Sequence, residues 1–279
     1  MARVAADIIA RVIGSAAWHS FSRGPVELAY AEAGAGDHTV VLLHGLAGTA
    51  QEWAATMRGL AGTHRVVALE QRGHGHSTRA PGDVTRAAYV GDVVALIERL
   101  GGAPVTLVGQ SMGGHTAMLV AAENPELVSR LVMVEAGVGG AAETELEPVE
   151  RWLRSWPAVF PDRDAFVEFF GGSPGAAEAW ADGLQFDAGG LAPCWDADVL
   201  VAALRAVLVL PRWRAWESVS APTYLMLGEH GAIPAEQVER MCRRPGVSSI
   251  TIADAGHDVH LDRPADWLET LNGVLTGNP

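Results

Sequence analysis

The chain has 279 residues, 49% hydrophobic and 19% charged, with a formal net charge of −13. That apolar content can bury a full core without a metal or disulfide staple, and it excludes the disordered and low-complexity classes. The acidic balance argues against nucleic acid or an anionic membrane as partner, because phosphate binding needs clustered cations. A length near twice the usual ~150 residues per domain allows two domains, or one α/β domain carrying an insertion.

The basic residues are all Arg, and Lys is absent. A Ser-Lys dyad, a Schiff-base lysine and a phosphate-loop lysine are therefore excluded. Cys194 and Cys242 offer neither a disulfide framework nor metal-ligand spacing, so a reducing, cytoplasmic setting is expected.

Residues 1–18 read as an N-terminal helix, with Val4, Ile8 and Val12 at i, i+4, i+8. Asp7 and Arg11 interrupt what a secretory signal would need as an apolar stretch. The helix is expected to pack on the body of the protein, with lipid or partner docking as the alternative. No apolar run approaches the ~20 residues that span a bilayer.

Strand signals follow at 26–31, 39–43, 65–69, 104–108, 130–134, 223–227 and 248–252. Helical signals lie at 49–60, 84–100, 112–123, 235–242 and 265–274. Apolar strands separated by helices predict a mostly parallel sheet covered on both faces, with right-handed crossovers. The alternation breaks between about Gly137 and Val219, where helical patterns and six of the nine Trp residues occur without a convincing strand. This predicts a helical insertion over 138–219, with the core formed by 19–137 and 220–279.

The strongest chemical signal is Gly109-Gln110-Ser111-Met112-Gly113, a G-x-S-x-G between a strand and a helix. The tight turn projects a serine hydroxyl from the strand end, at the positive end of the following helix. Such a hydroxyl needs a base, and His257, after the last strand, is the candidate; His260 is its nearest rival. His44-Gly45-Leu46 ends an earlier strand and is expected to aim the Leu46 N–H at the same point as the Met112 N–H, forming an oxyanion hole.

With these pieces in order, the sequence resembles the α/β-hydrolase superfamily. HGLAGTAQEW, ALEQRGHGHST, VGQSMGG, ENPELVSRLVMVEAG, APTYLMLGEHGAIPAE and AGHDVHLDRPADW carry the resemblance, over roughly residues 25–275. It implies an eight-stranded, mostly parallel sheet with a cap inserted after the sixth strand. It further implies Ser111 as nucleophile, His257 as base, and Leu46 and Met112 as oxyanion donors.

One departure concerns the triad acid, usually an Asp three residues after the Gly that closes the seventh strand. Here that position is Gly231, in Gly228-Glu229-His230-Gly231. The imidazole still needs a carboxylate to fix its tautomer. Glu135, at the end of the sixth strand, is the first replacement; Glu229, Asp254, Asp258 or no acid at all are the alternatives. The loop Glu70–Ser77 reads as structural, with Arg72 bridging loops and a pocket-lining role for His74 or His76 as the minor reading.

Most aromatic residues of the insertion are expected to form its own core, while Trp152, Trp156, Trp195 and Leu204 are expected to line a pocket. The reading is therefore a serine hydrolase acting on an ester, thioester or lactone of a sizeable apolar or aromatic small molecule, without cofactor or metal. A non-hydrolytic enzyme on the same scaffold (a cofactor-free oxygenase, lyase or cyclase), a C–C bond hydrolase and a binding protein with a vestigial site are the alternatives. The expected partner is the small molecule, with no nucleic acid and no transmembrane segment; a homodimer is left open.

Overall fold

The computed structural model describes residues 16–187 and 189–277. The expected helix at Val4, Ile8 and Val12 lies outside the described residues. The end of the 1–18 segment is strand rather than helix, because Ala17 and Trp18 open β1 (Ala17–Arg23). β1 pairs antiparallel with β2 (Val26–Ala33) at the edge of the sheet. Its polar AWHSFSR sequence lies half in solvent, so it carries no apolar run that marks a strand.

The chain then alternates: β3 (Thr39–Leu43), α1 (Ala54–Leu60), β4 (Arg65–Glu70), α2 (Arg86–Arg99), β5 (Val105–Gln110), α3 (Met112–Glu123) and β6 (Val128–Val134). After β6 come α4 (Leu146–Ser155), α5 (Arg163–Phe170) and α6 (Pro174–Asp182). A short ribbon of β7 (Gln185–Asp187) and β8 (Gly190–Ala192) follows, then α7 (Ala197–Leu208) and α8 (Trp213–Ser218). That ribbon is an addition to the expected all-helical stretch; three residues per strand leave no alternation to read. The chain returns to the sheet with β9 (Thr223–Gly228), α9 (Ala235–Cys242), β10 (Val247–Ile252), α10 (Val259–Asp262) and α11 (Pro264–Thr276).

The main sheet has eight strands in the order β1-β2-β4-β3-β5-β6-β9-β10. From β4 to β10 every neighbour is parallel, while β2 runs antiparallel to both β1 and β4. This is the α/β-hydrolase fold that the resemblance implies. Because side chains alternate along a strand, one face presents Val41, Leu43, Leu69, Leu107 and Met133 to α2 and α3. The other presents Val40, Leu42, Val66, Val108 and Val132 to Trp53, Met57 and Trp267 around α1 and α11. Each of these fully buried side chains contributes roughly 1.5–3 kcal/mol through removal from water. Among the described residues no helix is long and apolar enough to cross a membrane.

The segment between β6 and β9 has its own aromatic core. Trp156 packs against Trp152, Phe160, Phe166, Phe170, Trp180 and Trp195, with ring centroids 5.0–6.4 Å apart. Two hydrogen bonds fasten α6 to the 258–262 segment: Ser173 Oγ donates to Asp262 (2.6 Å), and Trp180 Nε1 donates to Asp258 (3.0 Å).

Candidate active site

Parallel strands bring their C-terminal ends to one side, and there the expected site residues gather. Ser111 fills the single position between β5 and α3, with φ 49° and ψ −115°. Its N–H donates to Val134 O (2.9 Å) and its carbonyl accepts from His115 N (3.0 Å), so the turn is held from both sides. Gly113 must be glycine because a side chain there would run into the backbone of Leu43 and His44. Packing that close lets the helix start directly beneath the serine.

Among the described residues, four non-glycine residues have positive φ: Ala47, Ser111, Glu135 and Asp254. They follow β3, β5, β6 and β10 respectively, the strand ends that carry the Leu46 loop, Ser111, Glu135 and the His257 loop. Such conformations cost on the order of 1–3 kcal/mol and persist where the surroundings impose them.

His257 follows β10, and its Nδ1 lies 3.6 Å from Glu135 Oε2. That is an ion-pair separation rather than a short hydrogen bond; such contacts commonly tighten when substrate closes a site. Glu135 is buried, and two backbone donors fix its carboxylate: Gly228 N to Oε1 (2.9 Å) and Ala232 N to Oε2 (2.7 Å). Desolvation opposes a charged His257, but Glu135, Asp258 and Glu52 outweigh it, so its pKa lies above the ordinary 6.5. Of the other acids weighed from sequence, only Asp258 lies in the same cavity and acts on His257. Glu229 is exposed and accepts from Asp254 N, and Asp254 pairs with Arg263. Asp258 accepts from Gln110 Nε2 (3.2 Å) and Trp180.

The rival His260 is buried, stacked on Trp53 with centroids 4.1 Å apart, and 3.6 Å from Glu52 Oε1. Burial lowers its pKa to about 4 and, at Glu52, raises the carboxyl to about 8. His74 and His76 do not line the pocket, correcting that minor reading. His74 is buried with its Nε2 accepting from Ala47 N (3.2 Å), and His76 pairs with Glu70 (3.0 Å). Arg72 bridges loops through a two-pronged contact with Asp92, both bonds 2.6 Å.

Leu46 sits in the loop after β3, where the N–H groups of Gly45, Ala47 and Gly48 are engaged by Glu52, His74 and Gly45 O. Met112 opens α3, so its N–H belongs to the first turn, which has no intrahelical carbonyl to meet. Sequence reasoning missed two supports of this arrangement. Gln110 Nε2 donates to His257 O (3.1 Å), tying the serine turn to the histidine loop, and His74 Nε2 accepts from Ala47 N in the loop that carries Leu46. Gln110 adjoins Ser111, which is the one signal that could have flagged it.

Ser111, Glu135, His257 and Leu46 line one cavity of about 620 Å³. Trp152 and Leu204 line it as expected. Trp156 and Trp195 do not line this cavity: both sit 9% exposed in the aromatic core, because Trp156 is covered by Phe166, Phe170 and Trp180 and stacks edge-on against Trp195, and the two border a separate small hollow with Trp180 and Glu52. One group among the described residues has metal-ligand spacing, Glu229, His230 and Asp254; all three are exposed.

Comparison with known proteins bears on the family and the fold. The family model described as "Alpha/beta hydrolase family" matches residues 40–270. The sn-1-specific diacylglycerol lipase ABHD11 of Mus musculus is 29% identical over 222 residues, covering 75% of this chain and 71% of its own. A putative esterase/lipase of Haemophilus influenzae is 32% identical over 255 residues, covering 86% and 83%. The crystal structure of an E-2-(acetamidomethylene)succinate hydrolase superposes with a TM-score of 0.82 at 24% identity, over 92% of this chain and 100% of that one. With the match spanning most of its length, the chain belongs to the alpha/beta hydrolase family.

Proposed function

We propose that the protein is a serine hydrolase that cleaves an ester, thioester or lactone of a sizeable apolar or aromatic small molecule through an acyl-enzyme on Ser111. The observation that carries this reading is His257, with Nδ1 facing Glu135, sharing one cavity with Ser111. Relatives named as a lipase and as an esterase/lipase support hydrolysis. The substrate class rests on the cavity lining of Trp152, Phe170, Leu204, Val207 and Ile233.

His257 takes the proton of Ser111 Oγ as the oxygen attacks the acyl carbon. The carbonyl π electrons move to oxygen, where the Leu46 and Met112 N–H groups meet the charge. The tetrahedral species collapses, and His257 returns the proton to the leaving oxygen or sulfur. Water then repeats the sequence on the acyl-enzyme, releasing the acid and restoring Ser111. Glu135 keeps its proton balance throughout; it orients the ring and stabilises the imidazolium. Losing one oxyanion donor in such a site costs about 3–4 kcal/mol of transition-state stabilisation. Residues 138–219 act as the cap that shields the reaction from water, and the cytoplasm is the setting in which the two free thiols stay reduced.

The test is labelling with a fluorophosphonate. The reading expects stoichiometric modification of Ser111, abolished in Ser111→Ala and in His257→Ala. An unreactive serine in folded protein would refute it. A graded acyl-ester series tests the substrate class, which fails if acetate is preferred over every longer or aromatic acyl group.

A further inference from the structure

His115 lies one turn beyond Ser111 on α3 and lines the same cavity, yet the mechanism does not use it. It is 1% exposed, and neither ring nitrogen has a hydrogen-bond partner among the described residues. Buried polar groups without partners are rare and costly, at about 1–3 kcal/mol each. The groups that act electrostatically on His115 are two cations, Arg86 and Arg212.

Arg86 opens α2 and is 4% exposed. Its Nη2 donates to the hydroxyl of Thr116, the residue after His115, and its guanidinium lies 4.5 Å over the Tyr89 ring. Its Nε and Nη1 are buried without a hydrogen-bond partner among the described residues. Arg212 is half-buried, with Nε in the same condition. Its backbone N–H donates to Val138 O (2.7 Å), between the cavity-lining Gly137 and Gly139. No carboxylate among the described residues forms an ion pair with either guanidinium. The cavity's acids are placed elsewhere: Glu135 and Asp258 face His257, and the exposed Glu145 accepts from Ala142 N.

An unpartnered imidazole in the cavity wall, backed by one buried and one half-buried guanidinium, forms a setting that favours an anion. We propose that His115, with the Arg86 and Arg212 guanidiniums behind it, forms the subsite for a carboxylate on the acyl part of the substrate. The subsite lies one helical turn, about 5–6 Å, from the serine. The carboxylate and the scissile carbonyl are therefore separated by a short chain, as in half-esters or half-thioesters of C4–C6 dicarboxylic acids. Hydrolysis then consumes one water and releases the alcohol or thiol together with the dicarboxylate. The apolar wall at Trp152 and Leu204 takes the leaving group. His115 is a binding residue in this scheme, and the inference rests on the acyl-enzyme reading above.

The experiment compares 4-nitrophenyl hemiglutarate with 4-nitrophenyl pentanoate, which differ chiefly in the terminal charge. Wild-type protein should prefer the hemiglutarate in kcat/KM by on the order of tenfold or more, the range of a charge-assisted hydrogen bond. His115→Leu and Arg212→Gln should lower kcat/KM for the charged ester at least tenfold more than for the neutral one, chiefly through KM. Arg86→Lys, which keeps the charge, should lose less than Arg86→Gln. Equal use of the two esters by wild type, or equal losses on both in His115→Leu and Arg212→Gln, would overturn the subsite. A second measurement separates this from the hydrolase reading. Glutarate should slow fluorophosphonate labelling of Ser111 in wild type, and pentanamide should not. A serine that labels with no protection by glutarate refutes the subsite alone. Where the serine does not label at all, the hydrolase reading fails and the carboxylate subsite falls with it.

Discussion

The Glu135 carboxylate occupies the space that a side chain at position 231 would need, and Gly231 is bare at that point. This carboxylate approaches His257 from the end of β6 instead of from the loop after β9, and Gly228 at the end of β9 and Ala232 in that loop donate to it. The two positions are thus alternatives for one location in space. Glu135→Gln should lower kcat on the order of 10³–10⁴-fold, the scale for losing a triad acid, while Glu229→Gln should stay near wild type. Gly231→Asp should impair the wild type by colliding with Glu135. The double variant Glu135→Ala/Gly231→Asp should recover part of the loss of Glu135→Ala; equal kcat in the two would show that the loop cannot present an acid to His257.

The pH dependence follows from the direction of the His257 shift. The base must be neutral to accept the serine proton, and its pKa is held above 6.5 despite desolvation, through Glu135 and its neighbours. The rising limb of kcat/KM should therefore have a midpoint above 6.5. In Glu135→Gln the opposing desolvation remains and the main support is lost, so the limb should move to lower pH. Stopped-rate assays between pH 5 and 9 measure both.

Glu52 makes a separate prediction about stability. Burial raises its carboxyl from 4.5 to about 8, so the folded chain holds a proton there that the unfolded chain releases. The folded state binds more protons between those values, and stability must fall as pH rises through that window, by on the order of a few kcal/mol at most. Below about 4.5 the contribution is fully present. Glu52→Gln should narrow the difference in Tm between pH 5.5 and 8.5, at roughly 2–4 °C per kcal/mol. An unchanged difference would mean that Glu52 does not control it.

Two tryptophans one turn apart should behave differently. Trp156 is the hub of the insertion's aromatic core, so Trp156→Ala should cost about 3–5 kcal/mol of stability in denaturant titrations. Trp152 lines the cavity, so Trp152→Ala should act mainly on KM for long or aromatic esters. The reverse pattern would relocate the pocket.

The sequence by itself determined the parallel sheet, because apolar strand segments separated by helices have few other ways to be buried. It also determined the serine turn: a residue between two glycines, at a strand-to-helix junction, has one geometry available to it. The edge strand β1 was not legible, since its alternation is diluted by solvent-facing polar residues. The sequence put Glu135 first among the candidate acids but did not separate it from Glu229. Glu135 and Glu229 each directly follow a strand, and tertiary packing decides that one turns toward the imidazole and the other toward Asp254. The division of the insertion's aromatics between core and cavity, and the gathering of His115, Arg86 and Arg212 from three separate elements, were likewise decided by tertiary packing. Contacts of that kind join residues far apart in the chain, and local pattern records which faces are apolar but not which faces meet.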